Sequence, residues 1–274
     1  MNRWLNSIWP GRLSRRAARQ GDRADAIWQT VLAHYGFLRD LDEQSRTRLS
    51  ELSLKFLNQK EFHGAQGLVI TDILAMSVAA QACLPLLNIA PPQQALAWYN
   101  DFVGIVVHPA EMLARREVTD DAGVVHHFRE ELSGESMAQG PVTLNWKDVA
   151  NAGQLAQQGT NLVIHEFAHK LDMKFGPADG CPPLPDGFMG LASDRQARQL
   201  WQSTLQSAFE SFREQVILAE RFGAEPAWLD AYAAHSLPEF FAVACEAYFV
   251  NRPRFSVDFP GLMPLFDNFF HRQF

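Results

Sequence analysis

Apolar positions recur at helical spacing along the first third of the chain and again through its second half. A repeat of about 3.6 residues is typical of an amphipathic or buried helix. The pattern predicts helices over 25–35, 41–58, 71–87, 160–174 and 194–220, and a further core helix within "YAAHSLPEFFAVACEAYFV" (232–250).

The middle of the chain has a different pattern. "FVGIVVHP" (102–109), "GVVHHF" (123–128) and "GPVTLNW" (140–146) are short runs of β-branched or aromatic residues, separated by Gly, Pro and Asp. These runs predict the strands of a small mixed sheet, with "GPVTLNW" as its edge strand beside a cleft. Helices, then strands, then helices indicate an α+β fold. No linker divides residues 25–274, so we predict one domain there.

Composition and charge narrow the class of protein. Apolar residues make up 47% of the chain and charged residues 20%, as in folded globular proteins. The net charge is −7, and the first 20 residues contain five Arg and no acid, which leaves −12 for the rest. This acidic body argues against a nucleic-acid partner. Residues 1–24 read as a basic arm, either a solvated terminus or a surface-binding helix that Pro10 and Gly11 interrupt.

The segment "GLVITDILAMSVAAQACLPLL" (67–87) has about the length of a membrane span. Asp72, Ser77 and Gln81 interrupt it, so we predict a buried core helix and no span. The three cysteines have no paired spacing, which excludes a disulfide framework and favours a reducing compartment. No apolar run of signal-peptide length follows the basic N-terminus, so a cytoplasmic location is expected.

The strongest chemical signal is "HEFAH", residues 165–169. On a helix, His165 and His169 project from one face, and their imidazoles can reach one Zn²⁺ at about 2.0–2.1 Å. Glu166 lies about 100° round the helix, where it can approach a metal-bound water without binding the metal. The flanking residues are apolar, so the helix is largely buried and its polar groups need a partner. We predict one zinc ion per chain.

A catalytic zinc usually has three protein ligands and an open position for water. Helical acids downstream are the candidates for the third ligand, namely Glu210, Glu214, Glu220, Glu239 and Glu246. Glu239 is favoured because it begins an apolar helix with no other charge until Glu246, although an acid there also complements the helix dipole. Glu246 shares its face and could support a ligand. Asp172 lies near the ligand face, where it could accept an imidazole N–H or cap the helix.

These motifs together resemble one family. "HEFAHKLD", followed about seventy residues later by "YAAHSLPEFFAVACEAYF", is similar to the Mlc titration factor family of zinc peptidases, as are "GVVHHF" and "SGESMAQGPVTLNW". The family is similar in its active site to the catalytic domain of anthrax lethal factor. The resemblance covers roughly residues 100–250 and implies a zincin-like fold.

The resemblance also implies roles for matching positions. It makes Glu239 the third zinc ligand beside His165 and His169, Glu166 the general base, and Tyr232 the group that stabilises the oxyanion. It further implies that His126 is an extra zinc ligand, which occupies the open coordination position in a resting form.

The activity implied by the resemblance is aminopeptidase-type cleavage of short peptides, with regulation of sugar uptake through binding of a transcriptional repressor. Nothing in these residues selects an exopeptidase over an endopeptidase. The alternative is a non-catalytic binding protein with a structural or latent zinc site. Coordination separates the two, because three protein ligands favour catalysis and four closed ligands favour a structural or latent site.

Overall fold

The structure is a computed structural model that describes residues 15–110, 112–119, 125–132, 134–136 and 140–271, with side chains described for 22–110 and 140–271. Residues 1–14, most of the predicted arm, therefore lie outside the described residues.

Each helix that the apolar spacing predicts is present. The described helices are α1 Arg15–His34, α2 Gly36–Arg39, α3 Glu43–Gln59, α4 Asp72–Cys83, α5 Trp146–Leu155, α6 Leu162–Asp172, α7 Asp194–Phe222, α8 Leu237–Val250, α9 Arg252–Asp258 and α10 Met263–Phe270. Helix α1 begins ten residues before its predicted start, so the end of the segment assigned to the arm is helical. Helix α5 was not predicted, because it follows a strand directly, and the last residue of that strand, Asn145, is also the cap of the helix.

The described strands are β1 Glu61–Gly64, β2 Gly104–His108, β3 Met112–Thr119, β4 Val125–Leu132, β5 Gly134–Ser136 and β6 Val142–Asn145. One sheet has the order β1-β2-β6-β5, in which β1, β2 and β6 are parallel and β5 is antiparallel to β6. Strands β3 and β4 form a separate antiparallel pair, in which Val118 lies opposite His126. The predicted α+β class with a small mixed sheet is confirmed.

The prediction that "GPVTLNW" forms an edge strand is wrong. Its strand β6 lies between β2 and β5, and the edge beside the helices is β5, whose backbone lies against α6. The sequence pattern does not reveal β5, because three residues of Gly, Glu and Ser carry neither apolar alternation nor β-branched side chains. The edge strand of the sheet is therefore β5, which precedes the predicted edge strand β6 in the chain.

The core fixes the position of α6. Its Phe167 packs against Tyr99, Phe56 and Phe102, with ring centroids 4.9, 5.7 and 5.8 Å away. Helix α4 is almost wholly buried, so the core helix predicted within 71–87 is confirmed. Across the part of the chain that the structure describes, no helix has both the length and the apolar character needed to cross a membrane.

Candidate active site

Helix α6 has one face in the core and the opposite face toward an opening. Its N-terminus is capped by Asn161, whose side-chain oxygen accepts the backbone N–H of Ile164 at 2.9 Å. With Phe167 packed inward, His165 and His169 project together from the other side, their ring centroids 4.8 Å apart. Each of these two side chains is 12% exposed, so the imidazoles are accessible to solvent rather than sealed in the core.

Helix α8 packs against α6 and brings two acids to these imidazoles. Ser236 caps α8, and its hydroxyl accepts the backbone N–H of Glu239 at 3.4 Å. A Ser followed three residues later by Glu is typical of a capping box, in which the glutamate bonds back to the cap residue. Here the Glu239 carboxylate instead faces the two imidazoles, and Glu246 follows two helical turns later on the same face.

Three ligand atoms converge at one point. Nε2 of His165 lies 3.2 Å from Nε2 of His169, and Oε2 of Glu239 lies 3.1 and 3.2 Å from these two nitrogens. Tetrahedral coordination with bonds of about 2.0–2.1 Å separates ligand atoms by about 3.3–3.4 Å, close to the spacing found here. Two histidines and a carboxylate are also donors that zinc accepts in catalytic sites. The residues present therefore fit a divalent metal such as zinc.

Glu246 determines which nitrogen of His165 faces that point. Its Oε1 lies 2.7 Å from Nδ1 of His165, and its Oε2 accepts the backbone N–H of Asn161. A carboxylate can only accept, so Nδ1 carries the proton and Nε2 is left with a lone pair for a metal. A carboxylate behind a ligating imidazole also raises the basicity of that ligand.

The charges around the two imidazoles favour a cation. Burial alone would lower the pKa of His165, but hydrogen bonds with Glu239 and Glu246 outweigh it and raise that pKa well above its ordinary value. Burial would raise the pKa of Glu239, but hydrogen bonds with His165 and His169 hold it well below its ordinary value. Burial raises the pKa of Glu246 above its ordinary value, although the hydrogen bond to His165 lowers it.

The other predicted catalytic residues are near the same cluster. Glu166 is 4% exposed, and its charge acts on His165. The ring of Tyr232 lies 6.3 Å from the ring of His165, on the short 3-10 helix Ala231–Ala234 that precedes α8. The fold thus brings Glu166 and Tyr232, 66 positions apart in the chain, close to His165.

Asp172, expected either to accept an imidazole N–H or to cap the helix, bonds to the loop that follows α6. Its Oδ2 accepts the backbone N–H of Gly180 at 2.8 Å, and its Oδ1 is buried without a hydrogen-bond partner. The carboxylate therefore holds the loop after α6 and makes no hydrogen bond to His169. Burial raises the pKa of Asp172 to about 6, against the backbone hydrogen bonds that lower it. The carboxylate that accepts the Nδ1–H of His165 is Glu246.

The remaining candidates lie away from the cluster or beyond the described side chains. Three acids proposed as alternative ligands, Glu210, Glu214 and Glu220, are exposed on α7. His126 lies on β4, but its side chain is outside the described residues. The three cysteines, Cys83, Cys181 and Cys245, are buried and free.

Sequence reasoning missed two residues that support the cluster. Asn161 bonds to Glu246 through its backbone and to Gln81 Oε1 through its side chain, at 2.8 Å. A cap signal was available for Asn161, which stands directly before the apolar run of α6. Gln81 was noted only as a polar interruption of an apolar segment, and sequence spacing cannot reveal a partner 80 positions away.

Comparisons with known proteins agree with this geometry. A family model for glucose-regulated metallo-peptidase M90 matches residues 10–271. Relatives named Mlc titration factor A include one from Salmonella arizonae, 34% identical over 251 residues, 91% of this chain and 92% of the relative. One from Cronobacter sakazakii is 34% identical over 263 residues, 96% of this chain and 90% of the relative. One from Klebsiella pneumoniae is 32% identical over 266 residues, 97% of this chain and 91% of the relative. The matches extend beyond residues 100–250 toward both ends of the chain.

Proposed function

Since the chain belongs to the family of glucose-regulated M90 metallo-peptidases, we propose that it is a zinc-dependent peptidase of zincin architecture. The observation that carries the proposal is the convergence of His165 Nε2, His169 Nε2 and Glu239 Oε2 within 3.2 Å of one another. These three residues hold the zinc ion. Their side chains are 12%, 12% and 22% exposed, which leaves one side of the site accessible to water and substrate. That access favours a catalytic site over a closed structural or latent one.

The chain's own residues perform the proton transfers of peptide hydrolysis. Zinc at this site supplies a Lewis acid that polarises the scissile carbonyl and makes a water more acidic. Glu166 takes a proton from the attacking water and returns it to the leaving amine. The hydroxyl of Tyr232 donates a hydrogen bond to the oxygen on which negative charge develops. Glu246 keeps the His165 imidazole in its ligating tautomer.

The edge strand β5 is suited to hold the substrate. It is antiparallel to β6, it has no strand partner on its other side among the described residues, and its backbone lies against α6. An extended peptide can pair its backbone with such an edge, which places a scissile bond over the site helix. The substrate is therefore a peptide in an extended conformation, and cleavage is of the aminopeptidase type that the family resemblance implies.

A regulatory partner is the second part of the proposal. The relatives carry the name Mlc titration factor A, and the resemblance implies binding of a transcriptional repressor of sugar uptake. Titration of the purified protein with such a repressor from the same organism, followed by calorimetry, tests this part alone. A repressor that gives no heat of binding at micromolar concentration removes the partner and leaves the peptidase proposal intact.

Glu166→Gln tests the enzyme proposal directly. Glutamine keeps the size of the side chain and one acceptor oxygen, but it cannot accept a proton at neutral pH. General-base catalysis typically contributes about 10²–10⁴-fold, so the turnover of an aminoacyl fluorogenic substrate should fall at least about a hundredfold. Zinc content should stay at one ion per chain, because Glu166 is not a ligand. Glu210→Gln, an exposed change of the same kind on α7, is the matched control.

Two outcomes contradict this assignment. Normal cleavage by Glu166→Gln shows that another group is the base. Loss of zinc together with activity shows that Glu166 binds the metal or holds the fold. A wild-type protein that binds no zinc under conditions that load other zinc peptidases rejects the proposed function itself.

A further inference from the structure

A chain of buried hydrogen bonds leads from helix α4 to the His165 imidazole. Gln81 Nε2 donates to the carbonyl of Ser77 at 3.0 Å, and Asn161 Nδ2 donates to Gln81 Oε1 at 2.8 Å. The backbone N–H of Asn161 donates to Glu246 Oε2, and Glu246 Oε1 lies 2.7 Å from Nδ1 of His165. Gln81 and Asn161 are both 0% exposed and Glu246 is 4% exposed, so water does not compete for these bonds.

The direction of each bond follows from its donors and acceptors. The Ser77 carbonyl can only accept, so the Gln81 amide nitrogen points to it and its oxygen points to Asn161. The Ile164 N–H can only donate, so the Asn161 oxygen points to it and its amide nitrogen points to Gln81. Turning over either side-chain amide would place two donors or two acceptors against each other. The network therefore has one arrangement, and it ends with the proton on Nδ1 of His165.

This arrangement links two functions in one residue. The side chain of Asn161 caps α6 through Ile164, while its backbone N–H fixes Glu246 on α8. A backbone N–H cannot rotate independently of its chain, so its direction depends on how the Asn161 side chain is held. Gln81 and the Ile164 N–H hold the two ends of that side-chain amide.

We propose that Gln81 and Asn161 are positioning residues of the metal site, which act through Glu246 to orient the His165 imidazole toward the metal. The inference rests on the proposed metal site and extends it to α4, which contributes no ligand to the His165–His169–Glu239 cluster. A capped helix α6 is not sufficient for this role. An N-cap side chain accepts the Ile164 N–H, but that bond alone does not fix the Glu246 carboxylate.

Two single variants break the same bond from opposite ends. Gln81→Leu removes the acceptor and leaves the Asn161 cap in place. Asn161→Ser keeps a good N-cap but lacks the amide that reaches Gln81. Changes behind a metal ligand typically weaken metal binding by about 10–100-fold, and we expect the lower end, about tenfold, for each variant. Ser53→Ala is the matched control, because Ser53 is fully buried and its hydroxyl bonds to the Leu49 carbonyl and to the Cys83 thiol, and among the described residues to no member of the Gln81–Asn161–Glu246 network.

The experiment measures zinc affinity of the full chain by competition with a chromophoric chelator, and the absorption spectrum of the Co²⁺-loaded protein. A double variant, Gln81→Leu with Glu246→Gln, separates positioning from general destabilisation. If Gln81 acts through Glu246, the double variant should bind zinc within about twofold of Glu246→Gln alone, since residues of one network are not additive. The Co²⁺ spectrum should change in Gln81→Leu and Asn161→Ser and stay unchanged in Ser53→Ala.

Several results overturn the inference. The inference is wrong if Gln81→Leu and Asn161→Ser both bind zinc with an affinity within twofold of the parent. It is also wrong if the losses of zinc affinity caused by Gln81→Leu and Glu246→Gln add up in the double variant. If Gln81→Leu does not fold, Asn161→Ser decides the matter alone. If the parent protein binds no zinc, both the proposed function and this inference are rejected. If the parent binds zinc and the variants bind it equally well, only the inference is rejected.

Discussion

Lys170 is a buried cation that joins the site helix α6 to the segment before β6. It follows His169 on α6 and is 0% exposed. Its Nζ donates to the Gly140 carbonyl at 3.1 Å, directly before β6, and lies 3.4 Å from Oδ2 of Asp101. It also lies 4.6 Å from the centroid of the Phe102 ring. Replacement by methionine keeps most of the volume and removes the charge and the donors.

The size of the effect follows from what Lys170→Met leaves behind. Removing one partner of a buried ion pair costs about 3–5 kcal/mol, and an unsatisfied carbonyl costs about 1–3 kcal/mol. The Asp101 side chain is 21% exposed, so water takes over part of its solvation. Burial lowers the pKa of Lys170, which shows that burying its charge is costly. Lys170→Met removes this cost, which offsets a further part of the loss in stability. We therefore expect a loss of about 3 kcal/mol in the free energy of unfolding, at the low end of the range.

Urea denaturation in the presence of a chelator measures this loss without a contribution from bound metal. Lys174→Met is the matched control, because Lys174 donates to the Ala97 carbonyl at 2.5 Å from a partly exposed position. The control should lose no more than about 1 kcal/mol. A loss of about 3 kcal/mol corresponds to a fall in Tm of roughly 6–12 °C for a chain of this size.

The comparison of these two lysines can refute the reasoning. If Lys170→Met loses no more than Lys174→Met, the buried charge does not join α6 to its neighbours. A double variant, Lys170→Met with Asp101→Asn, should recover part of the loss, since no lone carboxylate then remains. Absence of any recovery shows that Asp101 is not the relevant partner.

Three further predictions concern the ligands and a second buried lysine. Glu239→Ala should weaken zinc binding, whereas Glu210→Ala, at an exposed position, should not. If only Glu246→Ala weakens zinc binding, the third ligand is Glu246, two helical turns away from Glu239. If His126 ligates zinc in a resting form, His126→Ala should keep the metal and raise peptidase activity, and unchanged activity with intact zinc leaves His126 without that role. Burial lowers the pKa of Lys60 to about 8, so the cost of burying its charge is fully present below pH 8 and disappears as pH rises toward 10.5. The stability of the wild type relative to Lys60→Met should therefore rise over that interval in urea titrations, and equal pH profiles of the two proteins would contradict this.

The parts of the site that sequence could predict are those encoded by spacing. The relative positions of His165, Glu166 and His169 follow from one helical turn. The apolar residues around them predict that the helix is buried. Glu239 was favoured because a lone acid began an apolar helix, and the structure places its carboxylate between the two imidazoles. These inferences needed only helical geometry and the cost of an isolated polar group.

The parts that sequence could not predict depend on how separate elements meet. Asp172 and Glu246 were both suitable to accept an imidazole N–H, and only the packing of α8 on α6 brings Glu246 to His165. Asp172 instead binds Gly180, whose carbonyl accepts Trp201 Nε1 of α7 at 2.7 Å. The edge strand was misassigned because β5 is three residues long and shows no pattern. Each of these contacts joins residues whose relation appears only after folding.

The buried acids of the site also connect its chemistry to its stability. Glu166 and Glu246 are each 4% exposed, and Glu239 lies against two imidazoles. Burying several carboxylates is costly unless a cation offsets their charge. A divalent ion bound by His165, His169 and Glu239 would place two positive charges at the point where the three side chains meet. Because these residues belong to α6 and α8, such an ion would also stabilise the contact between the two helices.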